Sequence, residues 1–155
     1  MKKIFNSFSI YILLAVLTLA NLSCGGNGSD PVPEDTSKIT NLVLQLDTNQ
    51  KGHNDATATV QNAAGINDKA SNAITLDANG TYIGSIVLED ETKTPKATVT
   101  SEYTIAYQFT GTDATISASG TAPTFTTKAA GSGSLRITLT KAGKNTVVTV
   151  PVTIR

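Results

Sequence analysis

Residues 146–155 read TVVTVPVTIR, and this stretch decides the fold class of the chain. In an extended chain every second side chain points to the same face, so a period of two marks a strand that buries one face. The residues that share one face of this segment are Val148, Val150, Val152 and Ile154. Pro151 lacks a backbone N–H, which predicts that the strand lies at an edge or is bulged at that point.

The same period of two recurs throughout residues 39–155. The alternating segments are ITNLVLQLD, DATATVQ, NAITLD, TYIGSIVLED, SEYTIAYQF, DATISAS, PTFTT and GSGSLRITLT. Turn residues separate them, and no apolar stripe follows the helical period. We therefore expect residues 39–155 to form an all-β domain, an immunoglobulin-like antiparallel β-sandwich of eight or nine strands. Residues 62–72, NAAGINDKASN, hold poor helix formers and are expected to form a mobile loop.

The N-terminal residues 1–23 predict a lipoprotein signal peptide that ends before the chain's single cysteine, Cys24. Two lysines precede an apolar run, IYILLAVLTLA, which is shorter than the ~20 residues of a membrane span. The region resembles the bacterial lipobox, in which cleavage falls directly before a cysteine that becomes lipid-modified. Asn21 and Leu22 depart from the usual lipobox residues. The alternative is a structural thiol at the end of an ordinary leader.

A lipidated Cys24 would anchor the chain to a membrane. Its nucleophilic sulfur takes a diacylglyceryl group, and its amine takes a further acyl chain such as palmitate. Several chains give stable anchoring where one gives marginal binding. Residues 24–38 then predict a flexible tether, rich in Gly and Ser with two prolines. Gly25 in place of an Asp favours the outer membrane, and the periplasmic face and the cell surface both stay open.

Charge and composition exclude some classes of function. Only 15% of residues are charged, and the formal net charge is zero. Without the leader lysines Lys2 and Lys3, ten basic residues face twelve acidic ones, a formal charge of about −2. No basic patch is visible, so we expect no nucleic-acid partner.

Four stretches of the domain carry a family resemblance: ITNLVLQL, LDANGTYIGSIVLEDET, AAGSGSLRITLTKAGKN and TVPVTIR. In them the chain resembles a group of small Bacteroidota outer-membrane lipoproteins, which are often encoded beside TonB-dependent receptors. The group has no established activity. Where the members of the group carry an acidic loop, this chain reads QNAAGIND, in which Asp68 is the one acid. Tyr103 and Lys141 stand at positions where the group has histidines, and Glu102 keeps the acid of the group. The resemblance therefore transfers no functional residue.

Four features are candidates for chemistry. His53 lies in a polar turn and is interpreted as a solvated turn residue, with a metal ligand as the alternative. The run Glu89-Asp90-Glu91 is interpreted as a solvated loop, with a weak Ca²⁺ site as the alternative. Residues 77–80, DANG, predict a hairpin turn. The aromatic residues that share a face at strand spacing are Tyr103, Tyr107 and Phe109. They are expected in the core, with an exposed stacking platform as the alternative.

No sequence motif of a hydrolase, a zinc protease or a redox pair occurs. We therefore expect no catalytic residue, no cofactor-binding residue and no metal ligand, and a protein that is not an enzyme. The expected function is a lipid-anchored binding or accessory module of the cell envelope, assisting a TonB-dependent outer-membrane transporter. The alternative is a structural or adhesive surface domain without a small-molecule ligand.

Overall fold

The computed structural model describes residues 38–117 and 119–155. In these two ranges the chain is all-β, with a 3-10 turn at Thr100–Glu102 and no α-helix. The strands are β1 (Asn41–Asp47), β2 (Ala56–Gln61), β3 (Lys69–Ala70), β4 (Ile74–Leu76), β5 (Thr81–Asp90), β6 (Ala97–Thr98), β7 (Thr104–Thr110), β8 (Ala114–Ile116), β9 (Thr124–Thr127), β10 (Gly131–Lys141) and β11 (Lys144–Ile154). The predicted leader, Cys24 and all but the last residue of the predicted tether lie outside the described residues.

The strands form two sheets that pack face to face. The first has the order β2-β1-β5-β9-β8, all antiparallel, with β6 also paired to β5. The second has the order β11-β10-β7, and the short strands β3 and β4 both add to β11 in parallel. The strand order β1-β5-β9-β8 in the first sheet matches the A-B-E-D sheet of immunoglobulin constant-type domains. The order β7-β10-β11 in the second sheet matches their C-F-G sheet. The predicted immunoglobulin-like sandwich is confirmed.

The prediction of eight or nine strands is too low, because the described residues contain eleven. The additional strands, β3 and β6, are two residues long. A two-residue pairing places one side chain on each face, so it leaves no alternation in the sequence that could reveal it.

The core consists of the faces that the alternation predicted. The leucines of β1, Leu42, Leu44 and Leu46, are fully buried, as are Leu135, Ile137 and Leu139 of β10. On β11 the four predicted residues 148, 150, 152 and 154 are buried as well. Because each fully buried Leu, Ile or Val stabilises the fold by roughly 1.5–3 kcal/mol, these three strands supply much of the driving force.

The predicted bulge at Pro151 is absent, and the predicted edge is confirmed only locally, at Pro151 itself. β11 lies inside its sheet, and its antiparallel register with β10 runs unbroken from Lys144 to Ile154. The carbonyls of Val147 and Thr149 accept hydrogen bonds from the side of β3, so odd-numbered residues turn their backbone groups to that side. The backbone nitrogen of Pro151 therefore faces the gap between β3, which pairs with residues 148–149, and β4, which pairs with residues 152–154. The missing N–H falls where β11 has no partner strand.

Residues 62–72 are not helical, as predicted, but they are not a free loop either. Ile66 is 1% exposed and packs in the core. The Val147 amide donates to the Asn67 side chain at 2.9 Å. The segment carries the chain from the first sheet to the second, and the buried Ile66 holds it between them.

Asn72 occupies the outer edge of β2. Its side-chain Oδ1 accepts the Thr59 amide at 2.6 Å, and its Nδ2 donates to the Thr57 carbonyl at 2.9 Å. The Asn72 amide thus takes the place that a backbone peptide of another strand would occupy. An open strand edge is a template for pairing with another chain.

Replacing Asn72 with alanine is expected to lower the free energy of unfolding by about 1 kcal/mol and to promote self-association, because the edge of β2 opens. Asn72→Asp keeps the acceptor and loses the donor. Its stability and its self-association should therefore lie between those of the parent and those of Asn72→Ala. Urea unfolding and sedimentation velocity measure both effects. An Asn72→Ala protein that unfolds at the same urea concentration as the parent and sediments in the same way would contradict this role.

Candidate functional site

The loops of the sandwich divide between two ends. We call the end at which the chain leads into β1 the proximal end. There the Lys38 amide donates to the buried Asp90 carboxylate at 3.2 Å. At the other end lie the loops 48–55, 77–80, 111–113 and 128–130, together with Arg155. We call these four loops and Arg155 the distal-loop surface. Loops that a rigid sandwich holds at one end are the usual place for binding residues.

Backbone hydrogen bonds tie the distal loops to one another. The Ala78 amide donates to the Arg155 carbonyl at 2.7 Å, and the Asn79 amide to the Lys128 carbonyl at 3.1 Å. The Lys128 amide in turn donates to the Asp113 carbonyl at 2.8 Å. The fourth loop, 48–55, is joined to them by the Asn54 amide, which donates to the Asp77 carboxylate. The distal-loop surface is therefore one connected structure rather than a set of independent loops.

Residues 77–80 form a corner, not the predicted hairpin. β4 pairs with β11 in the second sheet, whereas β5 pairs with β1 in the first, so the DANG turn crosses between the sheets. Asn79 has φ 56, a left-handed conformation that Asn adopts more readily than most residues. The turn signal was correct, but a local signal does not say which sheet the next strand joins.

Asp77 is the charged centre of the distal-loop surface. Its carboxylate accepts the Asn54 backbone amide at 2.8 Å, and the Arg155 Nε lies 3.7 Å from it. The Asp77 amide donates to the Tyr82 hydroxyl at 2.7 Å. The pKa of Asp77 is lowered, chiefly because the Asn54 amide donates to the ionised carboxylate. Burial raises the pKa of the Tyr82 hydroxyl.

His53 is half-buried, not solvated as predicted. Its Nδ1 atom is buried beside Gly80 and has no hydrogen-bond partner among the described residues. The rest of its loop is held by side chains: Gln50 Oε1 accepts the Thr81 amide at 2.6 Å, and Asp55 accepts the Thr48 amide at 2.7 Å. His53 therefore packs the loop 48–55 against the corner at residues 77–80.

The acidic run at residues 89–91 does not converge on one point. Glu89 binds Lys96 at 2.8 Å and accepts the Asn41 amide group at 2.9 Å. Asp90 is fully buried and accepts both donors of Thr92, whereas Glu91 accepts the Gln61 side chain at 2.8 Å. In the part of the chain that the structure describes, no three His, Cys, Asp or Glu side chains form a group that could hold a metal ion. The three carboxylates brace the proximal end instead.

These carboxylates make the stability of the fold sensitive to acid. The pKa of Glu89 is lowered by the Lys96 and Asn41 hydrogen bonds, and that of Asp90 by the Thr92 hydroxyl. A lowered folded-state pKa adds stability above the unfolded value, which for Asp is 3.8, and this stability is lost as the pH falls through the folded pKa.

We therefore expect the urea midpoint to be steady near neutral pH and to fall steeply below the ordinary pKa range of Asp and Glu. Asp90→Asn should flatten that fall, because one of the titrating groups is removed. Urea titrations of both proteins across this pH range measure the effect. Parallel curves would contradict a contribution from Asp90.

The aromatic stripe of β7 faces the core, as predicted. Tyr107 and Phe109 each meet Phe125 of the opposite sheet edge to face, with ring centroids 5.6 Å apart. The Tyr107 hydroxyl donates to the Gly120 carbonyl at 2.8 Å, and burial raises its pKa. Every Tyr and Phe ring in the described residues is buried or half-buried. A stacking platform is therefore not formed.

Two of the positions that depart from the resembled group, Tyr103 and Lys141, come together at the proximal end. Lys141 forms an ion pair with Glu102, and its ammonium lies 5.5 Å from the centre of the Tyr103 ring. Asp68, the acid left in the first loop, has φ 54 and accepts the Asn67 amide group at 3.1 Å. Lys141 therefore contacts both Glu102 and Tyr103, whereas the Asp68 carboxylate is bound by its neighbour Asn67. Sequence spacing alone would not have joined Glu102 to Lys141.

Comparison with known protein families, with curated proteins and with solved structures finds no match to this chain. No helix among the described residues is long and apolar enough to cross a membrane. The fold assignment therefore rests on the strand order and register themselves.

Proposed function

We propose that the protein is a lipid-anchored binding or accessory module of the cell envelope, and that it assists a TonB-dependent outer-membrane transporter. In this proposal the resembled lipoprotein group supplies the cellular setting, and Cys24 carries the lipid. The role is non-enzymatic: the module holds a partner and catalyses no reaction.

One observation carries the proposal. The chain leads into the sandwich at the Lys38–Asp90 end, whereas the connected distal-loop surface lies at the opposite end. A chain tethered at its N-terminus would leave these loops free for a partner. Exposed charges of both signs lie there, among them Lys51, Lys128 and Asp113, and such charges set partner choice and register more than affinity.

The test is a cross-linked pull-down from intact cells with purified outer membranes. A tag after Arg155 would sit on the distal-loop surface, so the epitope belongs between the exposed residues Ala142 and Gly143 at the proximal end. Cys24→Ala provides the unanchored control. The expected result is capture of a stoichiometric outer-membrane receptor that is lost with Cys24→Ala.

A matched pair of charge reversals locates the contact. Lys51→Glu with Lys128→Glu alters the distal-loop surface, and Lys93→Glu with Lys144→Glu alters exposed lysines of the proximal end. We expect the distal pair to reduce receptor capture at least about tenfold, because misplaced like charges weaken an interface strongly, and the proximal pair to leave it unchanged. Equal effects of the two pairs would contradict the proposed surface.

The structural or adhesive alternative draws on a different feature. On the outer face of the first sheet, Ile83 and Val87 are 56% and 39% exposed, and Val43 lies beside Val87 in the register. Threonines surround them on β2 and β9. This alternative is favoured if the cross-linked partner is a surface protein other than an outer-membrane receptor, and if its capture is lost with Ile83→Lys and Val87→Lys but kept by the distal pair.

A further inference from the structure

The corner between β4 and β5 requires glycine at position 80 and favours asparagine at position 79. A Cβ atom on Gly80 would lie 2.7 Å from the Tyr82 ring and 3.0 Å from the Asp77 carbonyl oxygen, so glycine is required there. Asn79 stands in the left-handed region, which Asn tolerates better than most residues. The corner therefore contains the dipeptide that deamidates most readily in proteins.

The reaction that threatens an Asn-Gly pair is deamidation. The glycine backbone nitrogen loses its proton to a base and attacks the asparagine Cγ; a C–N bond forms, and the side-chain nitrogen leaves as ammonia. Water then opens the cyclic imide at either carbonyl, leaving aspartate or isoaspartate. The step needs water alone as a co-reactant, and it is fast after Asn-Gly because glycine has no side chain to obstruct the attack.

In this structure the attacking nitrogen is held by Thr127. The Gly80 N–H donates to the Thr127 hydroxyl at 2.8 Å, and that hydroxyl donates to the Asp77 carbonyl at 2.6 Å. The Thr127 amide donates back to the Gly80 carbonyl at 2.9 Å. Thr127 is 1% exposed and Gly80 is buried, so water reaches neither partner of the key hydrogen bond.

We propose that Asn79 is a latent deamidation site of the distal-loop surface and that Thr127 keeps it unreacted. Attack on Asn79 requires the Gly80 nitrogen to leave a buried hydrogen bond and to turn toward the side chain, and the Thr127 contacts on both sides of Gly80 oppose that rotation. Loss of the restraint would convert Asn79 to an acid two residues from Asp77 and, as isoaspartate, would lengthen the backbone of the corner.

The test follows the full-length chain in detergent, incubated at mildly alkaline pH and analysed by peptide mass spectrometry. The readouts are the mass gain of deamidation and the isoaspartate content of the peptide that contains Asn79. Folded protein is compared with the same protein in urea, and Thr127→Val with Thr127→Ser. Thr126→Val is the matched control, because the neighbouring Thr126 alternates to the opposite face of β9.

We expect Asn79 to deamidate at least about tenfold more slowly in the folded protein than in urea, as the cost of breaking a buried hydrogen bond implies. Thr127→Val should raise the rate clearly above that of the folded parent, because it removes the hydroxyl contact but keeps the backbone one. Thr127→Ser and Thr126→Val should stay as slow as the folded parent. Equal rates in folded and unfolded wild-type protein would overturn the proposal even if Thr127→Val fails to fold. A folded Thr127→Val protein that stays as slow as the parent would also overturn it.

Discussion

Gly133→Ala is expected to destabilise the sandwich by roughly 3 kcal/mol or more. A Cβ atom at Gly133 would lie 2.1 Å from the Thr110 carbonyl oxygen and 2.8 Å from the Gly111 carbonyl carbon. Both neighbours are backbone atoms at the point where β7 ends against β10, so no side-chain rotation relieves the overlap. The strands must separate locally, and the pairing of Ser134 with Thr110 is lost first.

Gly131 provides a matched control two residues away on the same strand. A Cβ atom there meets nothing within 4 Å, so Gly131→Ala should be neutral or slightly stabilising, since alanine has less backbone freedom to lose on folding. Urea unfolding followed by circular dichroism measures both variants. If the free energies of unfolding of the two alanine variants differ by less than about 0.5 kcal/mol, the close approach of β7 and β10 at Gly133 has no measurable effect on stability.

The second large effect is expected at Phe125, where the two sheets meet. Phe125 of β9 is fully buried and touches the rings of both Tyr107 and Phe109 across the core. Phe125→Ala should lower the free energy of unfolding by about 3–5 kcal/mol, because the cavity adds to the lost burial. Each edge-to-face ring pair adds about 0.5–1.5 kcal/mol beyond its area.

Phe125→Leu separates the two contributions, since leucine fills most of the space but has no ring. We expect it to cost clearly less than alanine, and a double-mutant cycle with Phe109→Leu should show a favourable coupling energy between the rings. Thermal and urea unfolding supply the numbers. A cycle without coupling would show that Phe125 acts by volume alone.

The fold class could be predicted from the sequence because burial in a sheet leaves a pattern that each strand carries by itself. Leu42, Leu135 and Val148 lie in different strands, yet each was placed correctly by its own neighbours. The aromatic stripe was assigned to the core by the same rule. Where an element is too short to alternate, as in β3 and β6, the rule had no signal to detect.

The candidate site could not be predicted, because its contacts join residues that are far apart in the chain. Thr127 meets Gly80 across 47 positions, and Asn54 meets Asp77 across 23. Nothing in the sequence distinguishes Thr127 from the many other threonines of the chain. Arg155 is marked only by its charge. The histidine and the acidic run, which composition made conspicuous, became packing and bracing groups.

The sequence by itself determined that the chain folds as a β-sandwich and which face of each long strand is buried, since the hydrophobic effect acts on every strand locally and with the period of the pleat. The tertiary structure alone decided which sheet each strand joins, why Pro151 is tolerated inside a sheet and which loops share an end. It also decided that Thr127 closes over the Asn-Gly corner. These outcomes depend on hydrogen bonds between distant segments, whose partners are chosen only when the two sheets come together.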